Sequence, residues 1–363
     1  MEPSAYASHP VPSLTDWNDL WTAWDCVTQD MIPEEELLGQ PIKLRNACIF
    51  YLGHIPTFMD IHLTRATKGK PTDPSYYSQI FERGIDPDVD DPEQCHSHSE
   101  IPDSWPPVSE VLDFKGRVRA RIQSLYASGQ AVSDRSVSRA LWLGYEHEIM
   151  HLETLLYMLV QSEKTLPPPG TIRPDFEAMA LQAERQAVEN SWFMIPAQSL
   201  EIGLDDPDDE SGPEHHFGWD NEKPKRSIHV PSFSAKGRPI TNGEYANYLE
   251  KTETTSIPAS WTTMDEASAA APNGKTNGHV AGKVTHDFVH GKAVRTVYGS
   301  IPLRFALDWP VAASYDELVG CAKWMGGRIP TLQETRSIYH HVELLKEREI
   351  GKTIGRTIPA VNG

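Results

Sequence analysis

Apolar residues recur at helical spacing through the first half of the chain. Trp17, Leu20, Trp21, Trp24 and Val27 share one helical face and predict a helix over 17–31. A second stripe holds Ile42, Leu44, Ala47, Cys48, Tyr51, Leu52, Ile55, Phe58 and Met59 and predicts a helix from Pro41 to about Thr67. Pro41 suits a first helical position. Pro56, inside the stripe, predicts a kink or a helix end near Ile55. A third helix is expected from Val108 to Ser128. A fourth starts near Ser133 or Asp134, both good N-caps, and runs to about Ser162. Four helices with one apolar stripe each predict a four-helix bundle. The segment 68–107 reads as a long loop rich in Asp, Pro, Ser and His, a length typical of functional or disordered segments.

Beyond the fourth helix the texture changes. TLPPPGTIRP (165–174) has the composition of a linker, and a short helix is expected from Asp175 to Glu189. After Trp192 the apolar runs are short and punctuated by Gly, Pro, Asn and Asp, which predicts a mixed α+β unit. The expected division is a helical bundle over 1–164, a linker with a short helix over 165–191, and a second domain over 192–363. Residues 252–291 read as a polar insertion.

Charge and composition narrow the function classes. Thirty-three Lys and Arg against 51 Asp and Glu leave a net charge of −18. That excess opposes general binding to a phosphate backbone. No apolar run approaches the roughly 18 residues of a membrane span, and the acidic N-terminus is unlike a secretory signal. Four cysteines with no C-x-x-C pair predict reduced thiols and a cytoplasmic protein.

The histidines carry the candidate chemistry. His147 and His151, in GYEHEIMHLETLLYM, lie one turn apart on one helical face. Such a pair is either two hydrogen-bonded core histidines or two ligands of one ion. The neighbouring Glu148 and Glu153 favour ligands, because carboxylates commonly orient ligating imidazoles. His54, on the apolar side of the second helix, is a candidate third ligand, and three inward histidines would leave open positions on a metal. HEIMH also matches the H-E-x-x-H string of zinc hydrolases. The longer extension of that motif fails, with Thr154 and Tyr157 where Gly and His would stand.

At this point the chain resembles the sulfoxide synthases of ergothioneine biosynthesis, most closely the C-terminal half of the fungal bifunctional enzyme. FYLGHIPTFMDIHL, DPSYYSQIFERGID and GYEHEIMHLETLLYM are similar to a DinB-like four-helix domain. HHFGWDNEKPKRSIHVPSF, PITNGEYANYL and CAKWMGGRIPTLQE are similar to a formylglycine-generating-enzyme-like domain, the sulfatase-modifying-factor type, with a C-type-lectin-like fold. The resemblance implies an α+β multidomain protein and an Fe(II) cofactor held by His54, His147 and His151. It also implies O2-dependent joining of a thiol, from cysteine or γ-glutamylcysteine, to C2 of hercynine, giving a sulfoxide. No nucleic acid or membrane partner is implied.

The sequence departs from the family in two places. Bacterial relatives carry Gln immediately before the second histidine of the pair, where this chain has Met150. The family's Trp-Glu-Trp-Thr segment, catalytic tyrosine and GGSW-type segment find no match after GGRIPT, so the catalytic residues stay unassigned. The second domain is therefore expected to be partial, with uncovered strand edges and poor solubility. Two further readings follow: a catalytically inactive metal- or partner-binding paralogue, and a zinc hydrolase using HEIMH. Among the remaining motifs, FGWDNEKP (217–224) is expected to be a tight turn. GGRIPT (326–331) should enter a helix through a capping box of Thr331 and Glu334. DDPDDESGPE (205–214) reads as a solvated loop, and HSHSE (96–100) as surface.

Overall fold

The computed structural model describes residues 9–42, 45–82, 85–87, 95–97, 102–206, 216–264 and 284–350, with backbone alone at 85–87, 95–97 and 347–350. Helix α1 (Leu14–Asp25) starts at Ser13, whose hydroxyl accepts from the Asp16 N–H while Asp16 accepts from the Ser13 N–H. That capping box places Trp17, Leu20, Trp21 and Trp24 in the core. One π-helical turn, Cys26–Asp30, extends it.

Helix α2 (Cys48–Thr67) begins seven residues later than Pro41. Ala47 offers no capping side chain. Instead the chain folds back, and the Cys48 and Ile49 N–H groups donate to the Gly39 and Leu37 carbonyls at 3.1 and 2.7 Å. Tertiary backbone capping thus sets the boundary. The helix does not end at Ile55 but continues through Pro56. An interior proline costs about 3 kcal/mol. Burial of the flanking Ile55 and Met59 and of eleven other residues along α2 offsets it.

Next come α3 (Tyr77–Phe81), a two-stranded ribbon of β1 (Ile85–Pro87) and β2 (Cys95–Ser97), α4 (Val108–Ala127), the short α5 (Gln130–Ser133) and α6 (Arg135–Leu159). Asp134 caps α6 by accepting from the Ser136 and Val137 N–H groups. α2 packs against both α4 and α6, and α1 against α6. Ion pairs tie the bundle together. Asp25 of α1 accepts from Lys115 and Arg119 of α4, each at 2.6 Å, and Asp60 of α2 accepts from Arg121 at 2.7 Å. No described helix is long and apolar enough to cross a membrane.

Helix α7 (Phe176–Arg185) leads to the strand-containing half. There β3 (Trp192–Ile195) pairs with β6 (Phe233–Lys236), and β4 (Gln198–Ile202) with β5 (Arg226–Val230), all antiparallel. A third sheet runs β7 (Trp261–Thr263), β8 (Lys292–Thr296), β9 (Gly299–Pro302), and is antiparallel throughout. Among the described residues, the helices that accompany them are α8 (Asn242–Lys251), α9 (His286–Val289), α10 (Tyr315–Trp324) and α11 (Leu332–Ile350). Capping boxes open α8 and α10, and Thr331 with Glu334 opens α11 as the sequence predicts. The core here joins Tyr245, Leu249, Trp261, Leu303 and Cys321. On β3, Trp192, Phe193 and Met194 are 47%, 56% and 67% exposed, so an apolar edge faces outward. The architecture is α+β, helical first and sheet-containing second.

The second half docks on α6. Asp206, its side chain fully buried, accepts from Arg135 at 2.6 Å and Arg139 at 2.5 Å. Both guanidinium groups lie over the Phe217 ring, and Trp142 packs against Phe217 and Trp219. The acidic stretch therefore begins with a buried anchor rather than a solvated loop, and residues 207–214 lie outside the described residues. FGWDNEKP does form a tight turn, a single 3-10 turn at Asp220–Glu222. Its aromatic pair serves the contact with α6.

Candidate metal centre

His54 stands in the middle of α2 and is 5% exposed. Its Nδ1 lies 2.7 Å from the Phe81 carbonyl oxygen. A carbonyl only accepts, so Nδ1 carries the proton and donates, and Nε2 keeps its lone pair. Gly53 makes that contact possible. A Cβ there would stand 2.5 Å from the Phe81 ring. Without one, α3 approaches α2 closely enough for its last carbonyl to reach His54.

A second glycine brings α6 in. A Cβ at Gly144 would lie 2.1 Å from the Met59 sulfur. Just beyond it, α6 presents His147 and His151 toward His54. The ring centroids lie 4.9 Å (His54 to His147), 4.8 Å (His54 to His151) and 4.5 Å (His147 to His151) apart. One ring nitrogen from each forms a trio within 4.8 Å of one another. Phe58 stacks on His147 at 3.7 Å and 12°, and Phe50 on His54 at 5.0 Å and 18°.

Burial pushes all three imidazole pKa values down. For His54 the Phe81 hydrogen bond partly opposes it. His147 falls well below the ordinary value through burial, with His151, His54 and His62 adding to it. His151 falls to about 3 through burial and His54. At neutral pH the site holds three neutral imidazoles with lone pairs, the donor set of a divalent transition metal. The Nδ1 atoms of His147 and His151 are buried without a hydrogen-bond partner among the described residues. Orphaned buried ring nitrogens are costly unless something engages the rings, so the residues fit a metal. The structure brings together all three histidines singled out in the sequence.

Among the described residues, no carboxylate meets the buried Nδ1 of His147 or His151. Glu148 follows His147 and so projects about 100° away from it around α6. It lies against Trp21, Trp24, Met59, Lys115 and Arg119 in the bundle interior. Burial pushes its pKa up to about 7, with Arg119 and Lys115 opposing and Asp25 adding. Glu153 is exposed. A backbone carbonyl, not a carboxylate, orients His54. The H-E-x-x-H reading requires its Glu at the metal, and Glu148 faces a different wall. Met150 is 43% exposed. Of HSHSE, His98 lies outside the described residues and His96 has only its backbone described. Gly53, Gly144 and the Phe81 carbonyl went unnoticed in the sequence. An isolated glycine inside a strong helical pattern was the available signal.

Comparison with known proteins adds to this geometry. Residues 15–155 match the DinB superfamily, and residues 178–337 match the sulfatase-modifying factor enzyme 1-like domain. The chain is 57% identical to ergothioneine biosynthesis protein 1 of Neurospora crassa over 99% of its own length and 42% of that protein. It is 34% identical to the protein of the same name from Schizosaccharomyces pombe over 92% of its length and 42% of that protein. It is 28% identical to the hercynine oxygenase of Mycolicibacterium smegmatis over 51% of its length and 38% of that protein. The chain thus spans about two-fifths of the length of these relatives. With both domains matched in order, and with Neurospora similarity along nearly its whole length, the chain belongs to the ergothioneine biosynthesis protein 1-like family.

Proposed function

We propose that His54, His147 and His151 hold Fe(II), and that the chain forms part of a sulfoxide synthase of ergothioneine biosynthesis. The proposed reaction joins the thiol of cysteine or γ-glutamylcysteine to C2 of hercynine, the Nα-trimethylated histidine. One O2 supplies the oxidising power. The S–H and C2–H bonds break and a C–S bond forms. The sulfur takes one oxygen atom, and the two hydrogens leave with the other as water. The balance closes with four electrons removed and none left over.

The observation that carries this reading is the trio of neutral histidines from two bundle helices, one with its tautomer fixed by the Phe81 carbonyl. The names of the relatives support it independently: two are ergothioneine biosynthesis proteins and two are hercynine oxygenases. Bound iron would supply dioxygen activation. His54, His147 and His151 would hold it through neutral ring nitrogens. The Phe81 carbonyl holds the His54 ring in place, and Phe58 restrains His147 by stacking. Cys26, Cys48 and Cys321 are free thiols, in keeping with a cytoplasmic setting.

The test is anaerobic loading with Fe(II), then addition of hercynine and cysteine while O2 uptake and sulfoxide mass are followed. One O2 consumed per sulfoxide is the expected result. Stoichiometric iron without O2 uptake would leave a metal-binding protein and sink the catalytic reading. Failure to bind iron at all would sink both.

A further inference from the structure

Helix α2 carries a second histidine that has no part in the trio. His62 stands two turns beyond His54 and one turn beyond Phe58, so the three residues share a face of the helix. The Phe58 ring meets two imidazoles. It stacks on His147, with centroids 3.7 Å apart and planes 12° from parallel. It meets His62 at 4.4 Å and 47°. Among the described residues no ring contact joins His62 to His147 directly, so the two imidazoles sit on different sides of Phe58. Phe58 and His62 are both half-buried, whereas His54 lies deep in the core.

The stack matters because of what His147 lacks. The Phe81 carbonyl fixes the His54 ring through Nδ1. The Nδ1 of His147 has no hydrogen-bond partner among the described residues, so no polar group there sets the rotation of the ring. His54 and His151 touch it edge-on, at 4.9 Å and 65° and at 4.5 Å and 67°, and both are candidate ligands themselves. Phe58 is the ring from outside the trio that lies against it. Phe58 is braced in turn by His62, with His54 more distant at 6.3 Å. Imidazole suits that rim position, because it offers an apolar face to Phe58 and a polar edge to water. Burial, and then Arg65, push the His62 pKa below its ordinary value. The ring is therefore uncharged at neutral pH, and the contact is one of ring packing.

We propose that His62 is a positioning residue of the metal centre: it braces Phe58, and Phe58 holds the His147 imidazole in the orientation that presents its ring nitrogen to the ion. This role rests on the reading of the trio as metal ligands, but not on the sulfoxide synthase reaction. His62 stands outside the trio and supplies no ligand atom. Ring packing at His147 thus performs the task that a main-chain carbonyl performs at His54. A contact between two rings changes an equilibrium by a factor of about 2–10, and the groups that orient a ligating imidazole directly change metal affinity by about 10–100-fold. The effect of His62, one contact further out, belongs at the lower end.

The test uses Co(II) as the probe on the whole chain. Affinity is read by chelator competition, and ligand geometry by the visible absorption of the bound ion. His62→Ala should weaken Co(II) about 2–5-fold and shift the absorption bands. His62→Gln, a polar side chain of similar reach without a ring, should do the same and guards against a folding defect in the alanine variant. His62→Phe restores a ring and should return both affinity and bands to the parental values. In a Phe58→Leu background, His62→Ala should add nothing further, because two residues acting in series are not additive. Unfolding of the metal-free chain in denaturant is the control: stability lost with unchanged affinity and bands would show a merely structural residue and overturn the proposal. Additive losses in the double variant would also overturn it, since His62 would then not act through Phe58. A parent chain that bound no Co(II) would sink the metal reading itself, and this role with it.

Discussion

Replacing Gly53 by Ala tests how the histidine site is held. The new Cβ would lie 2.5 Å from Cε1 and Cζ of Phe81 and 2.6 Å from Cε2. Carbon atoms pack at about 3.5–4.0 Å, so the ring must retreat by about 1 Å. It has little room. Phe81 is fully buried, stacked on Trp105 at 5.5 Å and edge-on to Tyr77 at 5.1 Å. Overpacking of this kind costs about 1–3 kcal/mol. Alanine recovers up to about 1 kcal/mol in helix propensity. The net loss of stability should therefore be about 0–3 kcal/mol.

A second effect falls on His54, because the displaced residue supplies the carbonyl that accepts from its Nδ1. Losing a partner that orients a ligating imidazole weakens metal binding by about 10–100-fold. The assay is Co(II) affinity by chelator competition, paired with denaturant unfolding of the metal-free chain. A second variant, Gly53→Ala with Phe81→Leu, removes the rigid ring and should recover most of both quantities. If Gly53→Ala loses stability but binds Co(II) as the parent does, the Phe81 carbonyl does not position His54 and the reasoning fails.

Three other outcomes follow from the structure. His54→Ala, His147→Ala and His151→Ala should each abolish stoichiometric metal, read by elemental analysis, while circular dichroism keeps its helical signal. Asp206→Ala leaves Arg135 and Arg139 without their buried carboxylate and should cost about 3–5 kcal/mol; denaturant unfolding measures it, and a loss below about 1 kcal/mol would show that the contact is not anchoring. At the start of α11, the Arg328 hydrogen bond holds the Glu334 carboxyl down at about 2, with burial opposing. A depressed carboxylate stabilises the fold fully above its unfolded value of about 4.5 and loses that contribution as pH falls toward 2. Unfolding midpoints measured from pH 5 down to pH 2.5 should therefore fall less steeply in Glu334→Gln than in the parent, and parallel curves would refute it.

The readable part of this fold was the part written in side chains close together in sequence. The period of α4 and α6, the Asp134 cap and the Thr331–Glu334 box are local, and each stands where the pattern put it. The start of α2 was missed because its first N–H groups are satisfied by carbonyls of Leu37 and Gly39, and a carbonyl has no sequence signature. The same holds at the histidines. The i, i+4 pair was legible, but the group that orients His54 is a main-chain oxygen 27 residues away. The buried role of Asp206 was hidden for a different reason: an acidic run reads as solvated unless its partners are known, and Arg135 and Arg139 lie about 70 residues earlier.

The two arginines and the two histidines share one helix, and its geometry separates their duties. Arg135 to His147 is twelve residues, as is Arg139 to His151. Twelve residues rise about 18 Å and turn about 120° beyond three full turns. The pairs therefore leave α6 at different heights and from different faces. One face gathers the second half of the chain through Asp206, and the other gathers His54 through the close approach at Gly144. Because a helix is stiff over that span, the docking contact fixes where the second half stands relative to the histidines without touching them. A site that needs both halves can then be assembled from a bundle that already carries all three candidate ligands.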